Sequence, residues 1–168
     1  MRFLAIGECM AELAPADRAR EYTLGFAGDT FNTAWYMAQI APDLHVGYLS
    51  AVGDDRISSD MLAFMRDSGV SHTHVAQRPG ETVGLYMIHL DQGERSFSYW
   101  RGQSAARQLA SDRAAMECAM EDADMIYVSG ISLAILDPAS RDTLIGALRR
   151  ERDNGKTIAF DPNLRPRL

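Results

Sequence analysis

Three short segments of this sequence group polar side chains in ways that could bind a small ligand. The first is Gly28-Asp29-Thr30-Phe31-Asn32, where a loop leads into a predicted helix. A glycine lets a ligand approach the backbone, and the start of a helix presents free N–H groups. Asp29 and Asn32 add polar groups suited to hydroxyls. By pattern alone, an ordinary capped helix explains this segment better than a binding site.

The second segment is Tyr99-Trp100-Arg101, with Tyr86 on the partner strand of a predicted hairpin. Side chains alternate along a strand, so Tyr99 and Arg101 are expected on one face. A guanidinium flanked by tyrosine hydroxyls suits a polyol that carries a carboxylate. A solvated arginine beside a core aromatic residue explains the pattern equally well.

The third segment is Asp161-Pro162-Asn163-Leu164-Arg165, which follows the last predicted strand. Ligands of α/β proteins bind beyond the carboxyl ends of parallel strands. Asn163 can hold a phosphate oxygen or a magnesium-bound water, and Arg165 can bind a phosphate or a carboxylate through two N–H groups. A polar turn is the alternative, and the position after a strand makes it the weaker one.

The elements that must position these segments are predicted from hydrophobic periodicity and from caps. The first predicted helix is capped by Asp29 or Thr30, and the others begin at Ile57, Ser111 and Asp137. The predicted strands are Phe3–Ile6, His45–Val52, Val70–Ala76, Met125–Val128 and Thr157–Phe160. Alternation of strands and helices predicts an α/β fold with a mainly parallel sheet flanked by helices.

One predicted hairpin interrupts this alternation. Two β-rich runs, Thr82–Leu90 and Arg95–Trp100, flank a four-residue gap that contains Gly93. With strands near Ala11–Phe26, the hairpin is expected to form a small β-sheet lid from approximately residues 11–26 and 82–101. An isolated hairpin is marginal in water and would bury Phe97 poorly, so we expect the lid to pair two copies as a homodimer.

Composition limits the classes of partner. The chain has 168 residues, 46% hydrophobic and 24% charged, which is typical of one soluble globular domain. A net charge of −6 argues against nucleic acid. No run of 18 apolar residues predicts a membrane span, and Glu8 interrupts the first apolar run too early for a signal peptide, so a cytoplasmic location is expected.

The cysteines and the histidine pair of this sequence give little indication of a metal site. Cys9 and Cys118 are too far apart in sequence to indicate a zinc site, and both are expected to be buried thiols. His72 and His74 have no neighbouring carboxylate or cysteine, so a strand end is the better interpretation. No metal ligand is therefore assigned.

Five stretches together resemble the PfkB, or ribokinase-like, carbohydrate kinases. Gly28–Ala34 and Val52–Asp55 resemble landmarks of the whole family, although Ala27 stands where many members have a second glycine. The remaining three resemble the 2-keto-3-deoxygluconate kinases in particular: Ile6-Gly7-Glu8-Cys9-Met10, Ser98-Tyr99-Trp100-Arg101, and the segment from Asp161 to Leu168.

This resemblance implies a ribokinase-like fold with a β lid, of which residues 1–168 are the N-terminal portion. The implied reaction is transfer of the γ-phosphoryl of ATP to 2-dehydro-3-deoxy-D-gluconate with Mg²⁺. It implies substrate contacts at Gly28, Asp29, Thr30, Phe31, Asn32, Tyr86, Tyr99, Trp100, Arg101 and Arg165, and phosphate contacts at Asn163 and Arg165. The family's base and magnesium motifs are expected beyond residue 168, so the chain is expected to be a truncated kinase without a catalytic residue of its own.

Two alternatives remain at this stage. The first is another PfkB kinase, such as a fructokinase or a ribokinase, whose substrate has no carboxylate. The second is a non-catalytic module that binds a sugar acid or mediates dimerisation. A comparison of acidic and neutral sugars separates the first alternative, and an assay with ATP and magnesium separates the second.

Overall fold

The computed structural model of the protein describes residues 1–18 and 20–165. Its strands are β1 (Arg2–Ile6), β2 (Met10–Pro15), β3 (Tyr22–Ala27), β4 (His45–Gly53), β5 (Ser71–Arg78), β6 (Leu85–Asp91), β7 (Glu94–Trp100), β8 (Met125–Ser129) and β9 (Thr157–Asp161). Its α-helices are α1 (Asp29–Ile40), α2 (Arg56–Asp67), α3 (Arg113–Glu121), α4 (Gly130–Ala134) and α5 (Pro138–Asp153), and a 3-10 helix spans Ala105–Gln108.

The central sheet is parallel throughout, and within the described residues its strand order is β5-β4-β1-β8-β9. Side chains of β1 alternate between two cores, with Phe3 and Ala5 on one face and Leu4 and Ile6 on the other. All four are 4% exposed or less. Burial on both faces confirms the predicted parallel sheet covered by helices on each side.

The helices form a layer on each face of this sheet. Phe31 of α1 and Met61 of α2 pack in the core that includes Phe3, whereas Met116 of α3 and Leu144 of α5 pack in the opposite core. Full burial of a side chain of this size contributes about 1.5–3 kcal/mol. None of the helices in residues 1–18 and 20–165 is long and apolar enough to cross a membrane.

A second, mixed sheet has the strand order β3-β2-β6-β7, and we call it the lid sheet. Strands β2 and β6 pair in parallel, and the other two pairs are antiparallel. The predicted hairpin is β6–β7, closed by Gln92 and Gly93 with φ of 50° and 88°, as a two-residue turn requires. Its first strand starts at Leu85 rather than Thr82, because Thr82 forms an isolated bridge with Ser104.

Three local predictions were wrong or missing. The N-cap of α1 is Gly28, not Asp29 or Thr30, which already lie in the first helical turn. Cys9 is buried as predicted, but Cys118 is exposed because α3 turns Met116 and Met120 inward instead. Helix α4 and the 3-10 helix were missed, since elements of four or five residues show no periodicity that a sequence pattern could reveal.

Candidate functional site

A cavity of about 690 Å³ opens between the carboxyl end of the central sheet and the lid sheet. The central sheet contributes residues that follow β1, β8 and β9, and helix α1 contributes its first turn. The lid sheet contributes side chains from β6 and β7. The lining residues are Glu8, Met10, Gly28, Asp29, Asn32, Tyr86, Phe97, Tyr99, Arg101, Ile131 and Arg165.

Most of the residues singled out in the sequence meet at this cavity. Seven of them line it, although they come from segments far apart in the chain: Gly28, Asp29, Asn32, Tyr86, Tyr99, Arg101 and Arg165. The cavity therefore lies where the strand-end rule for α/β proteins expects a ligand.

Thr30, Phe31 and Trp100 lie outside the lining, and their predicted ligand contacts stay predictions. The Thr30 side chain is buried and its hydroxyl lies 2.9 Å from the Tyr48 hydroxyl. Phe31 is 1% exposed and packs edge-on against the Tyr48 ring. Trp100 is exposed on the face of β7 opposite to Tyr99, as strand alternation requires.

Gly28 is required by the backbone that passes beside it. A Cβ at this position would lie 2.1 Å from the Glu8 carbonyl oxygen, so no other residue fits without displacing the chain. The backbone N–H of Gly28 donates to Asn32 Oδ1 at 3.4 Å, which closes the first turn of α1 on itself. The loop is thereby held tightly against the segment after β1.

The Asp29 carboxylate is fixed on both oxygens. Oδ1 accepts the backbone N–H of Thr30 at 2.8 Å, and Oδ2 accepts the side-chain amide of Asn163 at 2.8 Å. The backbone N–H of Asn163 in turn donates to Asp161 Oδ1 at 3.1 Å, so Asp161 fixes this turn. Asn163 has a φ of 28°, in the left-handed region that asparagine tolerates. Its amide is thus bonded to Asp29, which lies in the segment predicted to bind the sugar.

Tyr86 belongs to an aromatic wall of the cavity. Its hydroxyl donates to the Glu12 carboxylate. Burial raises the pKa of Tyr86, and the bond to Glu12 raises it further, so the phenol remains protonated. The rings of Phe97 and Tyr99 lie 6.1 Å and 5.9 Å from the Tyr86 ring, which gives an apolar surface against which a sugar carbon chain can pack.

Arg101 lines the cavity, but its guanidinium is paired with a carboxylate of the protein. It donates to the Glu8 carboxylate, which also accepts the Ser104 hydroxyl. The side chains of Arg101 and Glu8 are 11% and 1% exposed. Burial raises the pKa of Glu8, and the charge of Arg101 opposes part of that rise. The positive charge of Arg101, which we expected to bind a ligand carboxylate, is therefore already compensated by Glu8.

Arg165 is the other guanidinium of the cavity, and its environment differs. It is exposed, and it forms no ion pair with any residue in the described ranges 1–18 and 20–165. The cavity thus contains two carboxylates, Glu8 and Asp29, and two guanidiniums, of which Arg165 alone has no carboxylate beside it among these residues. The same part of the chain brings no three His, Cys, Asp or Glu side chains together as a metal site.

Sequence reasoning missed Glu8, Met10, Phe97 and Ile131 as lining residues. Glu8 was detectable, because it comes two residues after the end of β1, where ligands of parallel sheets bind. Phe97 was detectable by alternation from Tyr99. Ile131 lies on α4, an element too short to predict, and Met10 gave no polar signal.

Known proteins match the chain over its whole length. It is 44% identical over 168 residues to a 2-dehydro-3-deoxygluconokinase of Dickeya dadantii, covering 97% of this chain and 54% of that protein. The crystal structure of a 2-dehydro-3-deoxygluconokinase from Thermotoga maritima superimposes with a TM-score of 0.88 at 23% identity, covering 100% of this chain and 52% of that one. A fructokinase from Xylella fastidiosa with bound ATP superimposes with a TM-score of 0.84 at 21% identity, covering 99% and 50%.

These likenesses agree with the fold and with the predicted resemblance. The structural matches establish the ribokinase-like α/β architecture, which confirms the predicted fold class. The chain spans about half the length of the curated relatives it matches. Residues 2–168 match the pfkB family of carbohydrate kinases, and the chain belongs to that family.

Proposed function

We propose that this chain is the sugar-acid-binding half of a kinase that phosphorylates 2-dehydro-3-deoxy-D-gluconate. The observation that carries the proposal is one cavity in which groups suited to hydroxyls lie beside two guanidiniums. The hydroxyl-binding groups come from Asp29, Asn32 and the two tyrosines of the aromatic wall. The names of relatives such as the Dickeya dadantii protein support the same substrate.

The substrate fits the cavity by charge and by shape. Its carboxylate is assigned to Arg165, the guanidinium without a carboxylate partner, with Arg101 as a second donor. A hydrogen bond between charged groups contributes about 1.5–3 kcal/mol. Its hydroxyls are assigned to Asp29 and Asn32, and its carbon chain to the rings of Tyr86 and Tyr99.

ATP is the proposed phosphoryl donor, as in most kinases. Asn163 and Arg165 are the groups assigned to its phosphates, with Arg165 close enough to the cavity to serve both ligands. Mg²⁺ is the proposed counter-ion of these phosphates, and it usually binds through one or two carboxylates together with phosphate oxygens and water.

The assembly proposed is a homodimer formed through the lid sheet. On the face that lines the cavity, Phe97 and Tyr99 are 46% and 54% exposed. Aromatic residues at this exposure are typical of protein interfaces, where their rings become buried. Pairing of two lid sheets would bury these rings.

Titration calorimetry tests the substrate assignment on the chain itself. The ligands are 2-dehydro-3-deoxy-D-gluconate and fructose, a neutral sugar of the same carbon number. The proposal expects saturable binding of the acid and at least about tenfold weaker binding of fructose, equivalent to one charge-assisted pair. Equal affinity for both would reject the sugar-acid assignment and would favour a fructokinase-type substrate.

A further inference from the structure

Glu8 is a charged side chain at the cavity that the proposed reaction does not use. Its side chain is 1% exposed, and both of its oxygens are engaged, one by Arg101 Nη2 and one by Ser104 Oγ. An ion pair buried to this degree has to offset a large cost of desolvation, so it is weak evidence for stability alone. Its position at the cavity wall calls for another explanation.

The backbone around Glu8 is built to fit this carboxylate. A Cβ on Gly84 would lie 2.7 Å from Glu8 Oε1 and 3.2 Å from Arg101 Cβ, so a side chain there would displace the pair. The Gly84 carbonyl is itself fixed, because it accepts the backbone N–H of Ala11 at 2.8 Å. On the other side, Gly28 packs against the carbonyl of Glu8. The carboxylate therefore has one position, set by the junction between the central sheet and the lid sheet.

The guanidinium that Glu8 holds still has donors to offer. An arginine has five N–H groups, and Glu8 receives a bond from Nη2. The Nε of Arg101 is buried without a hydrogen-bond partner in the described part of the chain. A ligand cannot reach this buried atom, but Nη1 bonds to no residue in the described part of the chain, and the Arg101 side chain lines the cavity. Arg101 can therefore be fixed by one carboxylate within the protein and donate through Nη1 to a second from a ligand.

We propose that Glu8 is a positioning residue: its carboxylate holds the Arg101 guanidinium at the cavity wall and compensates its charge, so that Arg101 offers fixed donors while Arg165 provides the net attraction for an acid. This proposal rests on the proposed sugar-acid ligand. Preorganisation is its physical basis, because a flexible arginine that is already ordered loses less entropy when the ligand binds.

Two substitutions separate the length of the Glu8 side chain from its charge. Glu8→Asp keeps the charge but withdraws the carboxylate by about 1.5 Å, one C–C bond. Glu8→Gln keeps the length, since its amide can accept from Arg101 and donate to Ser104, but it removes the charge. A positioning role makes length decisive, whereas a role in electrostatic balance alone makes charge decisive.

A matched control is available at another buried carboxylate. Glu151 is 4% exposed and its Oε2 lies 2.9 Å from Lys156 Nζ, in an ion pair that does not contribute to the cavity lining. Glu151→Asp shortens a buried pair in the same way. A purely structural effect of such a change would appear equally in both variants.

The test is titration calorimetry of 2-dehydro-3-deoxy-D-gluconate with the wild-type chain and these variants. We expect Glu8→Asp to raise Kd about tenfold, Glu8→Gln to bind at least as tightly as wild type, and Glu151→Asp to leave Kd unchanged. An unchanged Kd for Glu8→Asp overturns the proposal. So does a loss in Glu8→Gln that equals the loss in Glu8→Asp. If Glu8→Asp does not fold, a Kd raised about tenfold in Glu8→Gln overturns the proposal, and if Glu8→Gln does not fold, an unchanged Kd for Glu8→Asp does so.

A measurement without ligand keeps this test separate from the proposed function. Hydrogen exchange of the Arg101 Nε–H, followed by NMR, should be slow in the wild-type chain and faster in Glu8→Asp. If the wild-type chain does not bind the acid, the proposed substrate is wrong, yet the exchange rates still test whether Glu8 holds Arg101. Equal exchange in both proteins overturns the positioning role.

Discussion

The side-chain amide of Asn163 donates to the Asp29 carboxylate at 2.8 Å, which joins the turn after β9 to the first residue of α1 across 134 positions of sequence. The bond draws together two of the three segments whose residue types first indicated a ligand site. Since Oδ1 of Asp29 is also bonded, to the Thr30 backbone, the carboxylate has a single orientation.

Asn163→Ala should weaken binding of the sugar acid by several-fold. It removes the bond that orients Asp29, and a hydrogen bond to a charged group contributes about 1.5–3 kcal/mol. Titration calorimetry measures the change. Asn154→Ala, at the C-cap of α5, is the control and should bind as wild type. An Asn163→Ala chain with unchanged affinity would show that the bond to Asp29 has no part in ligand binding.

Arg101→Ala should destabilise the protein as well as weaken binding. The change leaves the Glu8 carboxylate buried without its cation, and breaking a buried pair in this way costs about 3–5 kcal/mol. Urea denaturation gives the free energy of unfolding. Arg149→Ala, at an exposed arginine of α5, should change it by about 0.5 kcal/mol at most.

The two cavity arginines should differ in one further respect. Arg165→Gln should cost about tenfold in affinity for the acid without a comparable loss of stability, because Arg165 is exposed and has no carboxylate partner among residues 1–18 and 20–165. Calorimetry measures the affinity for the acid, and urea denaturation of the same sample measures the free energy of unfolding. A fall in stability as large as that of Arg101→Ala would contradict the distinction between them.

Asp55→Ala should lower stability in a way that depends on pH. Asp55 caps α2 by accepting the Ser58 backbone N–H at 2.9 Å. Burial raises the pKa of Asp55, but hydrogen bonds from Ser58 and Thr82 outweigh it and lower the pKa below its ordinary 3.8. The folded state thus favours the ionised form, so its stabilisation is complete above pH 3.8 and is lost as the pH falls through the lowered pKa.

The expected cost of Asp55→Ala is about 1 kcal/mol near neutral pH, as for other N-caps. In acid the difference from wild type should shrink, because the wild-type carboxyl is then protonated. Denaturant unfolding over a pH series measures both values. Asp43→Ala, at an exposed aspartate, is the control. If the difference in unfolding free energy between Asp55→Ala and wild type stays constant into acid, the hydrogen bonds from Ser58 and Thr82 do not lower the pKa of Asp55 as proposed.

Phe97→Asp should convert the proposed dimer into a monomer. The change places a charge on the exposed aromatic face of the lid sheet, where it would be buried if two lid sheets pair. Light scattering at micromolar concentration gives the mass. Ile40→Asp, 73% exposed at the end of α1, should leave the mass unchanged. A monomeric wild-type chain under these conditions would reject the lid-mediated dimer.

The 168-residue chain should bind the sugar acid but release no ADP from ATP and Mg²⁺. The chain spans about half the length of its curated relatives, and a kinase without its general base is slower by about 10²–10⁴-fold. Asp29 lines the cavity, but its carboxylate accepts bonds from Thr30 and Asn163 and is assigned to hold a substrate hydroxyl rather than to act as the base. A coupled assay measures ADP. Release that depends on both substrate and metal, from material whose mass ends at Leu168, would show that the chain holds a working base.

The parts of the site that follow local rules could be predicted from the sequence. Strand alternation predicted that Tyr99 and Arg101 lie on the same face, and the strand-end rule predicted a ligand site near Arg165. All three residues line the cavity. The same rule, applied to β1, would have found Glu8. Local pattern could not reveal that Thr30 and Phe31 are buried in the core, because successive residues of a first helical turn point in different directions.

The partner of Arg101 could not be predicted in the same way. Glu8 and Arg101 are 93 positions apart, and only the docking of the lid sheet on the central sheet brings them together. Nor does any local signal distinguish a compensated guanidinium, such as Arg101, from an uncompensated one, such as Arg165. That difference depends on tertiary packing, and it changed which arginine we assign to the carboxylate of the ligand.

A crystal structure of the chain soaked with 2-dehydro-3-deoxy-D-gluconate tests the central claim most directly. We predict ligand density in the cavity between the central sheet and the lid sheet, with the sugar carboxylate at Arg165 and Arg101 and its hydroxyls at Asp29 and Asn32. Density outside this cavity, or a cavity that stays empty at saturating ligand, would contradict the claim that this chain is the sugar-acid-binding half of a kinase.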